Sequence, residues 1–233
     1  PLSAAAQRLL ERDFGVVTRT DSPRRLCRAT REFAARALAG EFGRQLVDAP
    51  FQVDDKTHPD SSAFFQMTLA IQEIAEKAPV RLLDDRELIV GAATLHEATE
   101  HNVPGTYPLR GISHTTVGFH RVLEEGYRGI RRRIEERMAR GDLEDEGQTL
   151  LEGMLSCLDA ADVWHARYMR AVQRRIDTSI GEEQRHWQDM LEALQPVPEN
   201  PPATFRQAVQ SLWLSWSFLR LCGHWSGVGR FDQ

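Results

Sequence analysis

Four histidines, His96, His101, His114 and His120, crowd into one stretch of the 233-residue chain, at the density that metal ligands or acid–base groups show. Their spacing does not suit a metal. His96 and His101 are five apart and His114 and His120 six apart, with no HExxH or His-x-His pair. Neither helical nor strand geometry then aims both members of a pair at one ion, so solvated or hydrogen-bonded loop histidines are expected and no metal site is. Cys27, Cys157 and Cys222 are far apart, odd in number and free of CxxC spacing, which argues against a zinc site and a disulfide framework and for a reducing, cytoplasmic setting. Cys222 has Gly223 and His224 as neighbours, a context that could lower a thiol pKa, but a structural thiol is the favoured reading. A GxSxG elbow, a Walker loop and a GxGxxG after a strand are all missing, and Gly223, Gly227 and Gly229 follow a helix instead of preceding one. Asp84, Asp85, Glu135 and Glu136 fall on turns or polar faces and read as solvated charge.

The chain is 41% hydrophobic, 27% charged and 8% aromatic, the mix of an ordinary globular protein. Lys and Arg number 29 against 34 Asp and Glu, a net charge of −5 that offers nucleic acid or anionic lipid no overall attraction. No apolar run of about 18 residues is present, so no membrane span is expected.

The elements that must position these groups are mostly helices. Asp21 or Ser22, then Pro23, open a helix over 21–40, and Phe64, Phe65, Leu69, Ile71, Ile74 and Ala75 mark a second over 62–78. Glu87-Leu88-Ile89-Val90-Gly91 is short and apolar enough for a strand, and residues 92–118, rich in Pro, Gly and His, form an ordered loop. An amphipathic helix over 119–140 follows, with Glu124–Arg128 and Glu136–Arg140 at the favourable offset. Helices over 144–177 and 182–194 come next, then a Pro-rich extended connector over 195–202. Thr204 caps a last helix over 204–221, whose second half is apolar nearly all the way round and must be buried on several sides. The fold class expected for the chain as it stands is mainly α. The other faces cannot all cover that last helix, so part of the core is expected to lie beyond Gln233.

Three segments resemble one family. Glu87-Leu88-Ile89-Val90-Gly91 is the first. The second runs from Gly111-Ile112-Ser113-His114-Thr115-Thr116 into Arg121-Val122-Leu123-Glu124-Glu125-Gly126-Tyr127-Arg128-Gly129-Ile130. The third is Pro201-Pro202-Ala203-Thr204-Phe205-Arg206-Gln207-Ala208-Val209-Gln210-Ser211-Leu212-Trp213, followed by Gly223-His224 and Gly229-Arg230-Phe231-Asp232-Gln233. Together they are similar to the amino-terminal part of glycyl radical enzymes of the pyruvate formate-lyase family, over nearly the whole of 1–233.

The resemblance implies the amino-terminal helical portion of a ten-stranded α/β barrel that this chain leaves incomplete. It also implies a lyase or dehydratase in which a glycyl radical, in the carboxyl-terminal part, oxidises a buried cysteine to a thiyl radical. That radical takes a hydrogen atom from a small-molecule substrate and triggers C–C, C–O, C–N or C–S cleavage. The partners implied are a radical S-adenosylmethionine activating enzyme and, when complete, a second copy in a homodimer. No cofactor is expected on this chain, and no catalytic residue, because none of the three cysteines sits in a matching context. The substrate-binding residues carried over are His114, His224, Trp225 and Phe231, with Trp225 where the family usually has Ser. Arg230 and Asp232 are expected to hold their turn. The alternative is a non-catalytic helical binding or assembly module.

Overall fold

Apolar side chains recurring at steps of three and four build five helices among the described residues. They are α1 (Ala63–Lys77), α2 (Phe119–Met138), α3 (Asp145–Thr178), α4 (Gly181–Leu194) and α5 (Phe205–Leu221). The structure is a computed structural model that describes residues 63–78, 80–82, 87–92, 118–222 and Gly227, together with Glu32 and Arg36. The chain divides into two compact units, Pro1–Ala39 and Gly40–Gln233. In the first, Glu32 and Arg36 are helical and exposed, and the remainder of the helix expected over 21–40 lies outside the described residues.

In the second unit α3 is the spine. Its 34 residues make a rod of about 50 Å, with Asp145 and Glu146 in the first turn and Arg175 in the last, each complementing the helix dipole. One flank of α3 packs α1, another α2, and α4 folds back along it after the Ser179–Ile180 link, while α5 touches α2, α3 and α4. The core at their junction holds Trp164, Tyr168, Val172, Trp187, Met190, Leu194 and Leu214, all nearly or wholly sealed from solvent. Trp164 meets Tyr168 edge-on at 4.8 Å and stacks with Phe218 at 6.0 Å between centroids. The α1–α3 crossing is close because Gly153 has no side chain: a Cβ there would lie 2.2 Å from the Phe64 ring. Arg167 reaches back from α3 to donate to the Ala75 carbonyl at 2.7 Å, satisfying the last turn of α1.

Thr204 caps α5 as expected. Its hydroxyl accepts from the Gln207 amide at 3.2 Å, and the Gln207 side chain accepts in turn from the Ala203 amide at 2.8 Å, a variant of the capping box.

Three expectations are corrected. The segment 87–91 is a turn and not a strand, because the Val90 backbone is engaged by a side chain of α5 and Gly91 has φ +82°. No strand is present among the described residues, so the barrel strands implied by the resemblance are not among them. The helix expected over 119–140 is broken at Gly126, whose φ of 66° and ψ of 174° belong to a region only glycine occupies freely. The break exists to admit another piece of backbone: a Cβ on Gly126 would stand 2.4 Å from the Glu199 carbonyl oxygen. That oxygen accepts from the Arg128 amide at 3.0 Å, and the Pro198 carbonyl accepts from the Tyr127 amide at 2.9 Å. The connector after Gln195 is therefore not extended. It turns, with the Asn200 amide donating to the Pro196 carbonyl at 2.8 Å and Val197 fully buried. Arg128 accordingly turns away from the Glu124 offset and pairs with Glu199, 71 residues distant, at 3.2 Å.

Gly126→Ala should destabilise the fold well beyond Gly141→Ala, although both glycines have φ +66°. Space around Gly141 is open, so alanine there meets only the left-handed backbone cost of about 1–2 kcal/mol. At Gly126 the ψ of 174° puts the backbone in the region that is essentially glycine-only, and a Cβ there also clashes with the main chain at Glu199 and Asn200. Chemical denaturation of the two variants checks this, and equal midpoints would refute it.

Candidate functional site

The expected substrate-binding residues occupy two segments. His114 falls within 93–117, and His224, Trp225 and Phe231 fall within 223–233. All four lie outside the described residues, as do His96, His101, Cys27, Asp84, Asp85, Arg230 and Asp232. What the structure shows is how the residues that flank those segments, Ala92, Gly118 and Cys222, are held. His120, Glu135 and Glu136 are exposed on α2, in keeping with solvated side chains.

The first segment departs from the turn at 87–92. Glu87 is buried and its Oε1 accepts from the Ala92 amide at 2.9 Å, which closes the turn on itself. Gln210 of α5 grips the turn with both halves of its amide: Oε1 accepts from the Val90 amide at 2.8 Å and Nε2 donates to the Val90 carbonyl at 3.1 Å. This is the pairing that a neighbouring strand would supply, made instead by one side chain 120 residues away. Trp213 adds a third bond, its indole N–H donating to the Gly91 carbonyl at 2.8 Å. Gly91 lies flat on Tyr168, with a Cβ there only 3.1 Å from the ring.

The second segment departs from Cys222, the C-cap of α5. Cys222 and Cys157 line a partly open cavity of about 350 Å³ between α1, α2, α3 and α5, with Met67, Ile130, Ile134 and Leu219 among its walls. Tyr127 and Ser215 are polar groups in its lining, and they are bonded to each other, the Tyr127 hydroxyl donating to Ser215 Oγ at 2.8 Å. Burial pushes the Tyr127 phenol up to about 12, partly offset by that hydrogen bond. Burial likewise pushes the Cys222 and Cys157 thiols up. Both cysteines are thus protonated near neutrality, as suits structural thiols, and the walls give a polar substrate almost nothing to bind. Burial also lowers the pKa of His165, whose Nε2 contacts the Leu194 carbonyl at 3.0 Å, so it is a neutral donor there. No group of three or more His, Cys, Asp or Glu residues able to hold a metal occurs among the described residues. Nor is any described helix long and apolar enough to cross a membrane.

The three motif segments converge on α5. Val90 and Gly91 of the first bond to Gln210 and Trp213 of the third, and Tyr127 of the second bonds to Ser215 on the same helix. Gln210, Trp213 and Gly126 stand within the motif segments, and their partners in the structure are not evident from the motifs. The available signal was a glutamine in the middle of a helix otherwise apolar enough to demand burial.

The fold and motifs define a family. A model of pyruvate formate lyase-like proteins matches residues 93–233, and the chain belongs to that family. Isethionate sulfite-lyase of Nitratidesulfovibrio vulgaris is 30% identical over 124 residues, an alignment covering 49% of this chain and 15% of that protein. A Roseburia inulinivorans structure concerned with 1,2-propanediol dehydration superposes with a TM-score of 0.63 at 19% identity, covering 77% of this chain and 30% of that one. The B12-independent glycerol dehydratase of Clostridium butyricum, with glycerol bound, gives 0.63 at 17% identity, covering 85% and 36%. These likenesses show a shared fold, of which this chain forms a mainly helical portion. The chain thus spans about a third of the solved chains it resembles.

Two titrations follow. Cys222, 2% exposed, should alkylate only on unfolding and more slowly than the half-buried Cys157, as peptide-resolved mass spectrometry would show. For Tyr127 the unfolded phenol ionises near 10.0 and the folded one at about 12. Below that window both states hold the proton; within it only the unfolded state releases it, so stability falls as pH rises. Tyr127→Phe should remove this component at the cost of one hydrogen bond, worth about 1 kcal/mol. Denaturation midpoints across the alkaline range measure both effects, and an unchanged pH profile in the variant would contradict the assignment.

Proposed function

We propose that this chain is the amino-terminal portion of a cytoplasmic glycyl radical lyase or dehydratase acting on a small molecule. The observation that carries the reading is the family match over 93–233, which takes in both segments where substrate contacts are expected. The names of the relatives give the reaction class its range, from sulfite release to dehydration. In the proposed chemistry a thiyl radical forms an S–H bond as a substrate C–H bond breaks, leaving a carbon radical from which the neighbouring bond is cleaved. The reacting cysteine and the glycine that stores the radical belong to the rest of the enzyme. A radical S-adenosylmethionine activating enzyme installs the radical, and the complete enzyme is a homodimer.

On this reading His114, His224, Trp225 and Phe231 supply the chain's share of the substrate pocket. Trp225 replaces a small hydroxyl with an indole, which narrows the pocket or favours a more apolar substrate than a diol. What supports placing the pocket at 93–117 and 223–233, and not in the thiol-lined cavity, is chemistry: that cavity offers a polar substrate almost no hydrogen-bonding partner.

The test begins with the reading frame past Gln233, which should continue with a cysteine loop and a glycyl radical segment. The longer product, activated without oxygen, should show a backbone glycyl signal by electron paramagnetic resonance, and the 233-residue chain should show none. A frame lacking both motifs, or a glycyl signal on the short chain, would overturn the proposal and favour a helical binding module.

A further inference from the structure

Close-packed protein interiors leave few voids larger than a water molecule, yet the cavity between α1, α2, α3 and α5 measures about 350 Å³. Its walls are aliphatic, aromatic and sulfur-bearing. The hydroxyls of Tyr127 and Ser215 are spent on each other at 2.8 Å, and the two thiols are weak partners, so water gains little by entering. A length of polypeptide is a poor occupant too, because each residue would carry an N–H and a C=O into walls that cannot pair them. A small neutral molecule without polar groups carries no such penalty. Phe218, stacked on Trp164 at 6.0 Å, gives the space a fixed wall. Met154 also lines it and is 41% exposed, which places a flexible thioether at the mouth.

We propose that this cavity is a binding site for a neutral arene, of the size of two fused rings. Size and chemistry both point there. An apolar cavity of about 150 Å³ stays dry and takes benzene, so one of about 350 Å³ has room for a second ring. The sulfurs of Met67, Met154, Cys157 and Cys222 and the rings of Phe64 and Phe218 surround the space. Sulfur and ring edges make favourable contacts with an aromatic guest beyond the area it buries, which selects an arene over an alkane of equal volume. A charged analogue would give up its hydration and find no partner in return. Every wall of the site belongs to a described helix, and binding there requires neither the radical nor the rest of the enzyme.

The test uses the 233-residue chain with methyl-labelled methionine, read by NMR, and naphthalene as the probe. Met67 and Met154 line the cavity, whereas Met138, Met169 and Met190 do not. Naphthalene should therefore move the first two methyl signals saturably and leave the other three in place. At ten times its dissociation constant it should also slow alkylation of the half-buried Cys157 about tenfold, the factor by which it lowers the fraction of open sites. Naphthalene sulfonate should do neither. Cys157→Phe puts a ring into the space and should abolish the naphthalene-induced shifts with helix content unchanged. Ala161→Leu fills it from one turn further along α3 and serves if Cys157→Phe does not fold. No saturable movement up to the solubility of naphthalene, movement of all the methionines together, or an equal response to the sulfonate would overturn the proposal. So would Met67 and Met154 signals that follow protein concentration and ignore the probe, the mark of a second copy's side chain in the cavity. Binding is read without turnover, so it stands or falls separately from the proposed radical chemistry.

Discussion

Polar side chains on the buried face of a helix must be satisfied within the protein, and this constraint on α5 organises the rest of the unit. Gln210, Ser211, Ser215, Ser217 and Arg220 are all buried along it. Two of them, Gln210 and Ser215, are connectors to other elements. Gln210 binds the turn at Val90, Ser215 accepts from Tyr127, and Ser217 donates to the Leu214 carbonyl one turn back at 3.1 Å. An apolar helix could lie in the same place in several rotations and offsets with little difference in energy. The inter-helix pairs remove that freedom, because a slip of one residue would strand Gln210 and Ser215 without partners.

The break in α2 obeys the same logic from the backbone side. A continuous helix would satisfy its own amides and leave the turn after α4 without partners. Opening α2 at Gly126 frees the amides of Tyr127 and Arg128, and the carbonyls of Pro198 and Glu199 take them. The connector between α4 and α5 is thereby fastened to α2, which fixes where α5 begins. On the outer side Arg131 spans from α2 to Asp159 and Asp162 of α3 at 2.7 and 2.9 Å, partly exposed pairs that guide the docking more than they stabilise it.

The helices were legible in the sequence because a 3.6-residue apolar period survives translation into structure: the expected 62–78, 144–177, 182–194 and 204–221 correspond to Ala63–Lys77, Asp145–Thr178, Gly181–Leu194 and Phe205–Leu221. The errors have one physical source, contacts between residues distant in the chain. Glu87 to Gly91 has the composition of a strand, and its backbone does make strand-like bonds, but to a side chain instead of a second strand. Period alone carries α2 straight through Gly126, since Val122, Tyr127 and Ile134 stay buried on both sides of the break. The prolines after Gln195 predict an absence of helix correctly but cannot say that the turn is folded against Gly126. As for the site, His114, His224, Trp225 and Phe231 lie outside the described residues, which reach their neighbours at Ala92, Gly118 and Cys222. The roles of Gln210 and Trp213 were invisible because a side chain's partner 120 residues away leaves no local trace.

The described interior is nearly free of mobile protons at neutral pH. Burial keeps Tyr127, Cys157 and Cys222 protonated and His165 neutral, so none of them exchanges a proton readily with a substrate or with water. Among the described residues Glu87 and Arg220 are the buried charge-bearing side chains, each 4% exposed, and Arg220 stands in the last turn of α5 with its guanidinium carbon 5.9 Å from the centre of the Trp216 ring. A cation there complements the carbonyl end of the helix dipole and stands two residues before the chain leaves α5 at Cys222. Helices that trade no protons make an inert frame.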